Sequence, residues 1–178
     1  DGRLAVVELA EAAGLHLLDE ADRHPRWTGT GGVGELLDLA RARLESAGGA
    51  RPILMLTVGG SGTVDGGVGA LSSMGVEFRS THEPMRVPLV GDDLARIEGI
   101  DLPASVRSAW AGIDLRVATD VRNPLTGPMG AAKIFGPQKG ADDSTVEFLE
   151  RGLESWVEVV GRCVGVDRAA DAAASPGA

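Results

Sequence analysis

The 178 residues suffice for one large domain with a buried core, and 43% apolar content with only 3% aromatic makes that core aliphatic. A formal net charge of −9 disfavours non-specific contact with nucleic acid or anionic membrane, so an anion can be held only by a local cradle of cations or backbone N–H groups. One cysteine excludes an internal disulfide framework and suits a reducing cytoplasm, the three histidines show no metal-ligand spacing, and no run approaches the roughly 18 apolar residues of a membrane span.

Residues 3–9 read as a short strand, followed by one helical turn that Gly14 ends. Residues 19–33 are polar and glycine-rich, hence loop. The stretch 34–47 is predicted helical, with Leu36, Leu37, Ala40, Leu44 and Ala47 as its apolar stripe and Gly48-Gly49 as its stop. Strand 53–58 follows, then a glycine loop, then a helix over about 65–74 whose small residues suit close packing. The stretches VEFRS and MRVPLVGDDL read as two strands of an excursion. Pro103 opens a short helix, and IDLRVATDV, 113–121, reads as a buried strand ending on Asp120. A short helical patch at 129–135 interrupts a loop rich in proline and glycine.

The last element is a long helix capped by Asp142 or Ser144 and running to about 164, with Val146, Leu149, Leu153, Trp156, Val160 and Cys163 recurring at steps of three and four. That spacing makes Cys163 a buried core thiol rather than a nucleophile. Strand and helix alternate, so the fold class is α/β, a mixed sheet flanked by helices. The domain is expected over 1–168, with 169–178 an alanine-rich, disordered tail. The first residue is not methionine and the last residues fade into alanine, which reads as a piece of a longer protein.

Two stretches carry chemistry. Between Gly59 and Gly67 a strand breaks into five glycines interleaved with Ser61, Thr63 and Asp65. Glycines let backbone N–H groups approach an anion, a following helix start adds unpaired donors, and the hydroxyls can join them. Asp65 is the anomaly: it faces a metal or a substrate hydroxyl, or it merely caps the helix. The loop is not a Walker A motif, because no Lys-Ser/Thr follows at the required spacing. In the second stretch Asp120 closes a strand, where ligands of open α/β sheets collect. Asn123 is held extended by Pro124, and Lys139 stands beside Gln138 in a glycine-flanked loop where its ammonium can meet a phosphate. For any one of these residues a turn or a solvated side chain is the blander reading.

The stretches VGGSGTVDGGVGALSSMG and DVRNPLTGPMGAAKIFGPQKGAD resemble the two signatures of the bacterial glycerate kinase family. VELAEAAGL, TGTGGVGELL and the closing Pro176-Gly177-Ala178 resemble further family segments, so the likeness spans nearly the whole chain. Val64 stands where the family often has Asn, Gly62 replaces a common Ala, and Gly31-Gly32 replace Tyr-Gly.

The resemblance implies the inserted, middle domain of a two-domain enzyme about twice this length, with the active site between it and a flavodoxin-like domain missing here. It implies transfer of the γ-phosphoryl group of ATP to a hydroxyl of D-glycerate with Mg²⁺. On that implication Gly59, Gly60, Ser61, Thr63, Asn123 and Gln138 bind phosphate or substrate. Asp65 or Asp120 is base or magnesium ligand, and Lys139 neutralises developing charge. The piece alone is expected to fold, to lack activity, and to self-associate through its half-site. The competing reading is a non-catalytic α/β domain that binds a small anion or a partner.

Overall fold

The computed structural model describes residues 4–47, 51–81 and 83–164. Three strands, β1 (Leu4–Glu8), β2 (Ile53–Thr57) and β5 (Asp114–Ala118), form a parallel sheet in the order β1-β2-β5. Leu4 pairs with Ile53 and Glu8 with Thr57; Ile53 pairs with Asp114 and Thr57 with Ala118. All three strands therefore end on one edge, and the loops that leave that edge are the ones that carry chemistry.

One sheet face is covered. Val7 and Leu54 pack against Val33, Leu37 and Leu44 of α2 (Gly31–Ala47), with α1 (Ala10–Ala13) closing the end. The helix starts three residues before the expected position because glycines form its first turn, and their missing side chains admit a neighbour. A Cβ on Gly31 would strike the Pro88 ring, and one on Gly34 would lie 2.9 Å from both Ala70 Cα and Ser73 Cβ. That neighbour is α3 (Val68–Ser73), shorter than the expected helix and preceded by two left-handed glycines, Gly66 and Gly67.

A second cluster forms around α6 (Asp143–Val164). Leu149, Leu153, Trp156 and Val159 pack with Val64, Val68, Leu89, Leu94 and Ile97. Asp142 caps the helix, its Oδ1 accepting from Thr145 N at 2.8 Å and Ser144 Oγ at 3.0 Å. Trp110 of α4 (Ala104–Trp110) packs on the first cluster, and Ala132 of α5 (Ala131–Phe135) belongs to the second.

Three expectations are corrected. Residues 85–94 form no strand: Leu89 N donates to Ser72 Oγ, Asp92 N donates to Arg26 O, and Pro88 has no N–H, so no ladder can run there. The partner of β3 (Glu77–Arg79) is instead β4 (Gly99–Asp101), antiparallel to it in a separate two-stranded sheet. The strand at 114–118 is not buried, because it pairs on one side only and leaves Leu115 and Val117 exposed. Cys163 is exposed, because the packed side of the last turn of α6 is the one that buries Gly161 and sends Arg162 to the Glu98 carbonyl, not the one Cys163 occupies. The alanine-rich tail lies outside the described residues. On the far sheet face Leu4 and Val6 stand 59% and 54% exposed, which is unusual for parallel strands.

The Gly34 contact gives a stability test. Gly34→Ala is expected to lose about 1–3 kcal/mol through overpacking against α3. Gly112→Ala, whose Cβ would meet nothing within 4 Å, should stay within about 0.5 kcal/mol of the parent. Urea unfolding of both variants checks this; equal midpoints would refute the close α2–α3 crossing.

Candidate functional site

A cleft of about 820 Å³ opens at the strand ends between the two clusters. Leu56, Val58 and Val117 form its sheet wall, and Leu153, Trp156 and Val160 of α6 form the other. Its polar end gathers Gly59, Gly60, Ser61, Thr63, Asp65, Asp120, Gln138 and Lys139, although Gly59 and Lys139 lie 80 positions apart in sequence.

The glycine loop leaves β2 and is stitched to the turn after α1: Leu15 N donates to Gly60 O and Gly62 N to Ala13 O, each at 2.8 Å. Gly60 is left-handed, with φ +72°. Among the described residues no backbone carbonyl accepts from the amides of Gly59, Gly60 or Ser61. Unspent N–H groups on a glycine turn suit an anion. Further on, Gly66 seats against Trp156, whose Nε1 donates to Gly66 O at 3.2 Å.

Lys139 reaches this loop from a single turn, Pro137–Lys139, between Gly136 and the left-handed Gly140. Gly140 rests on the Arg23 main chain, where a side chain would not fit. The ammonium is buried and donates to Ser61 Oγ and Thr63 O, both at 2.7 Å. A lysine has three donors, so one remains for a ligand. Burial pulls its pKa down to about 8, and the negative charge of Asp65 opposes that fall.

Asp65 is 2% exposed and accepts hydrogen bonds at both oxygens. Its Oδ2 accepts from Thr30 N and Thr30 Oγ1 at 2.7 Å and from Gly69 N at 3.3 Å; its Oδ1 accepts from Gly67 N at 3.2 Å. The unpaired donors at the start of α3 are thus taken by a carboxylate of the chain itself. Burial raises the Asp65 pKa, and the hydrogen bonds from Thr30, Gly67 and Gly69 hold it down. Asp120, by contrast, is exposed at the mouth of the cleft, and a Cβ on Gly59 would lie 3.9 Å from its Oδ1.

Asn123 stands apart. It is not in the cleft wall, and its Nδ2 donates to Met129 O at 3.0 Å within its own loop. Thr63 lends a backbone carbonyl, its residue being only 7% exposed. Thr30 was missed: it holds Asp65 and accepts from Ala70 N at 2.9 Å. Its signal is a threonine immediately before a helix start, masked because Gly31 and Gly32 read as loop. Among the described residues no group of three or more His, Cys, Asp or Glu could hold a metal ion, and no helix is long and apolar enough to cross a membrane.

Comparison with known proteins gives a consistent result. The family model "Glycerate kinase family" matches residues 1–178. The chain is 37% identical over 165 residues to a glycerate kinase of Bacillus subtilis (strain 168), covering 93% of this chain and 41% of that protein. It is 36% identical over 167 residues to a glycerate 2-kinase of Escherichia coli (strain K12), covering 94% and 42%. A crystal structure from Salmonella typhimurium LT2, described as "putative glycerate kinase 2", aligns with a TM-score of 0.85 at 32% identity, over 98% of this chain and 44% of that one. The chain thus spans about two fifths of the length of these curated relatives.

The buried lysine gives a pH test with a defined sign. The Lys139 pKa is lower folded than unfolded, so between pH 8 and 10.5 the unfolded chain binds more protons. Folding stability relative to Lys139→Met should therefore rise with pH across that window and be smaller below it. Urea unfolding at several pH values measures the difference; a flat or falling difference would contradict the buried ammonium.

Proposed function

The chain belongs to the glycerate kinase family, and from that premise we propose that it is the part of an ATP-dependent kinase that holds glycerate and the transferring phosphoryl group. The supporting observation is the Lys139 ammonium, fixed by Ser61 and Thr63 with its third donor unspent beside the free amides of Gly59 and Gly60. Phosphoryl transfer through a loose transition state needs positioning and charge neutralisation more than covalent help. A cationic donor and backbone N–H groups in a partly dry cleft supply both.

In this reading Ser61, the glycine amides and Lys139 grip the carboxylate of glycerate or a phosphate oxygen. Gln138, exposed at the rim, offers a further amide to the substrate. Asn123 contributes by shaping the loop that carries Asp120, through its bond to Met129. Asp65 serves by position and charge, since all its acceptor sites that meet the protein are engaged.

The residues also fit a magnesium ion delivered with the nucleotide. Mg²⁺ typically takes one or two carboxylates and leaves the rest of its shell to phosphate and water. Asp120, hydrated and beside Gly59, is the residue to hold it, and the ion would neutralise phosphate charge. A three-carbon acid fills a small part of an 820 Å³ cleft, so the remainder is left for the nucleotide and for the rest of the enzyme.

We assign that rest, in the family a flavodoxin-like domain, to completing the cleft and covering the exposed Leu4–Val6 face. Catalysis by this chain alone is then not expected, because half a cleft leaves charges hydrated and screened. The setting is a soluble, cytoplasmic one.

The kinase assay decides the matter. In the full-length enzyme Lys139→Met and Asp120→Asn should each lower turnover of D-glycerate by on the order of 10²-fold. The 178-residue chain with ATP, Mg²⁺ and D-glycerate should give no steady phosphoglycerate. Full turnover in both variants would refute the site, and sustained turnover by the chain alone would refute the need for a second domain.

A further inference from the structure

The inner face of α6 carries one acid among its apolar residues. Glu150 is 4% exposed and lies next to Leu149, which is fully buried. A carboxylate in that position is costly unless it is satisfied. Its Oε1 accepts from Gly127 N at 2.5 Å and from Lys133 Nζ at 3.1 Å, while Oε2 is buried with no partner. Lys133, 39% exposed, supplies the opposite charge from α5.

What Glu150 grips matters. Residues 119–130 connect β5 to α5 and bring Asp120, Val121 and Leu125 to the cleft. Their own bonds are local: Val121 N to Thr119 Oγ1, Asn123 Nδ2 to Met129 O, and Gly130 N to Gly127 O. Ala131 N closes the loop on Leu125 O, and Pro124 and Pro128 have no N–H to offer. Gly130 O accepts from Ile134 N of α5, and among the described residues the Gly127–Glu150 bond is the only hydrogen bond from 119–129 to anything beyond Ala131. The bonded amide belongs to a glycine at φ +99°, a backbone that other residues rarely adopt.

We propose that Glu150 is a positioning residue, holding the loop so that the Asp120 carboxylate stays against the Gly59–Ser61 turn. Glu150 does not line the cleft and touches no substrate. Its carboxylate fixes the far end of a loop whose near end is β5. Lys133 balances its charge, so that the acid can remain buried without drawing on Lys139 of the cleft. The kinetic part of this inference rests on the kinase reading; the structural part does not.

Hydrogen exchange on the 178-residue chain tests the clamp by itself. In Glu150→Ala, amides of 119–130 should exchange about 10-fold faster or more, as loss of a charged hydrogen bond requires, while α2 and β2 keep their rates. Glu150→Gln, which retains an acceptor for Gly127 N, should recover most of the protection. Unchanged exchange in 119–130, or an equal acceleration in α2 and β2, would overturn the proposal. In the full-length enzyme Glu150→Ala should lower kcat about 10-fold with little change in KM for D-glycerate, and Glu150→Gln should restore it. A rise in KM alone would overturn the link to Asp120. A parent enzyme without glycerate kinase activity would refute the kinase reading, while the exchange result would still judge the clamp.

Discussion

A buried carboxylate bound at once to the starts of two helices is the constraint on which the rest of this structure depends. Asp65 sits where α2 and α3 begin, taking the Thr30 amide and hydroxyl from one side and the Gly67 and Gly69 amides from the other. An isolated buried charge would cost several kcal/mol, but here four donors and a nearby ammonium offset it. A six-residue helix such as α3 has little stability of its own, so its place is set by tertiary bonds of this kind. Asp65 also answers why the loop carries an acid among its glycines: it is itself the anion at that helix start.

The cleft follows from that staple. The apolar residues divide into one cluster on the sheet and α2 and another around α6, and α3 belongs to both through Val68 and Ala70. Joined at α3, the clusters diverge toward the strand ends and leave the cleft between them. Lys139 crosses this seam from the α5 side to bond Ser61 and Thr63 on the sheet side. Two polar ties, one acidic and one basic, therefore fix the two walls relative to each other.

Much of this was legible from residue spacing. The stripe of α6 is visible because Leu149, Leu153 and Trp156 recur at helical steps, and the strand-to-glycine break at 58–59 falls where the cleft opens. The errors have physical sources. An apolar strand reads the same whether it has one neighbour or two, so 114–118 looked buried although β5 pairs only with β2. Leu89 reads as strand core, yet it is buried by a turn whose amide goes to a serine hydroxyl. Glu150 was invisible because it acts through a partner 23 positions away, which no local pattern records, and Thr30 because the glycines after it hid the helix start it precedes.

The charge of Lys139 depends on the staple as well as on burial. Burial alone favours the neutral amine, and the Asp65 charge is what opposes it, leaving a pKa of about 8. At neutral pH the lysine is therefore mostly charged, and it owes part of that charge to Asp65. An anion arriving at the third donor brings a second negative neighbour and shifts the balance further toward the ammonium. Above pH 8 the same arrival must bring a proton with it, because the favoured bound form is the charged one. An anion held at that donor would therefore couple its binding to proton uptake at Lys139, and Asp65, which helps keep the lysine charged, would bear on both.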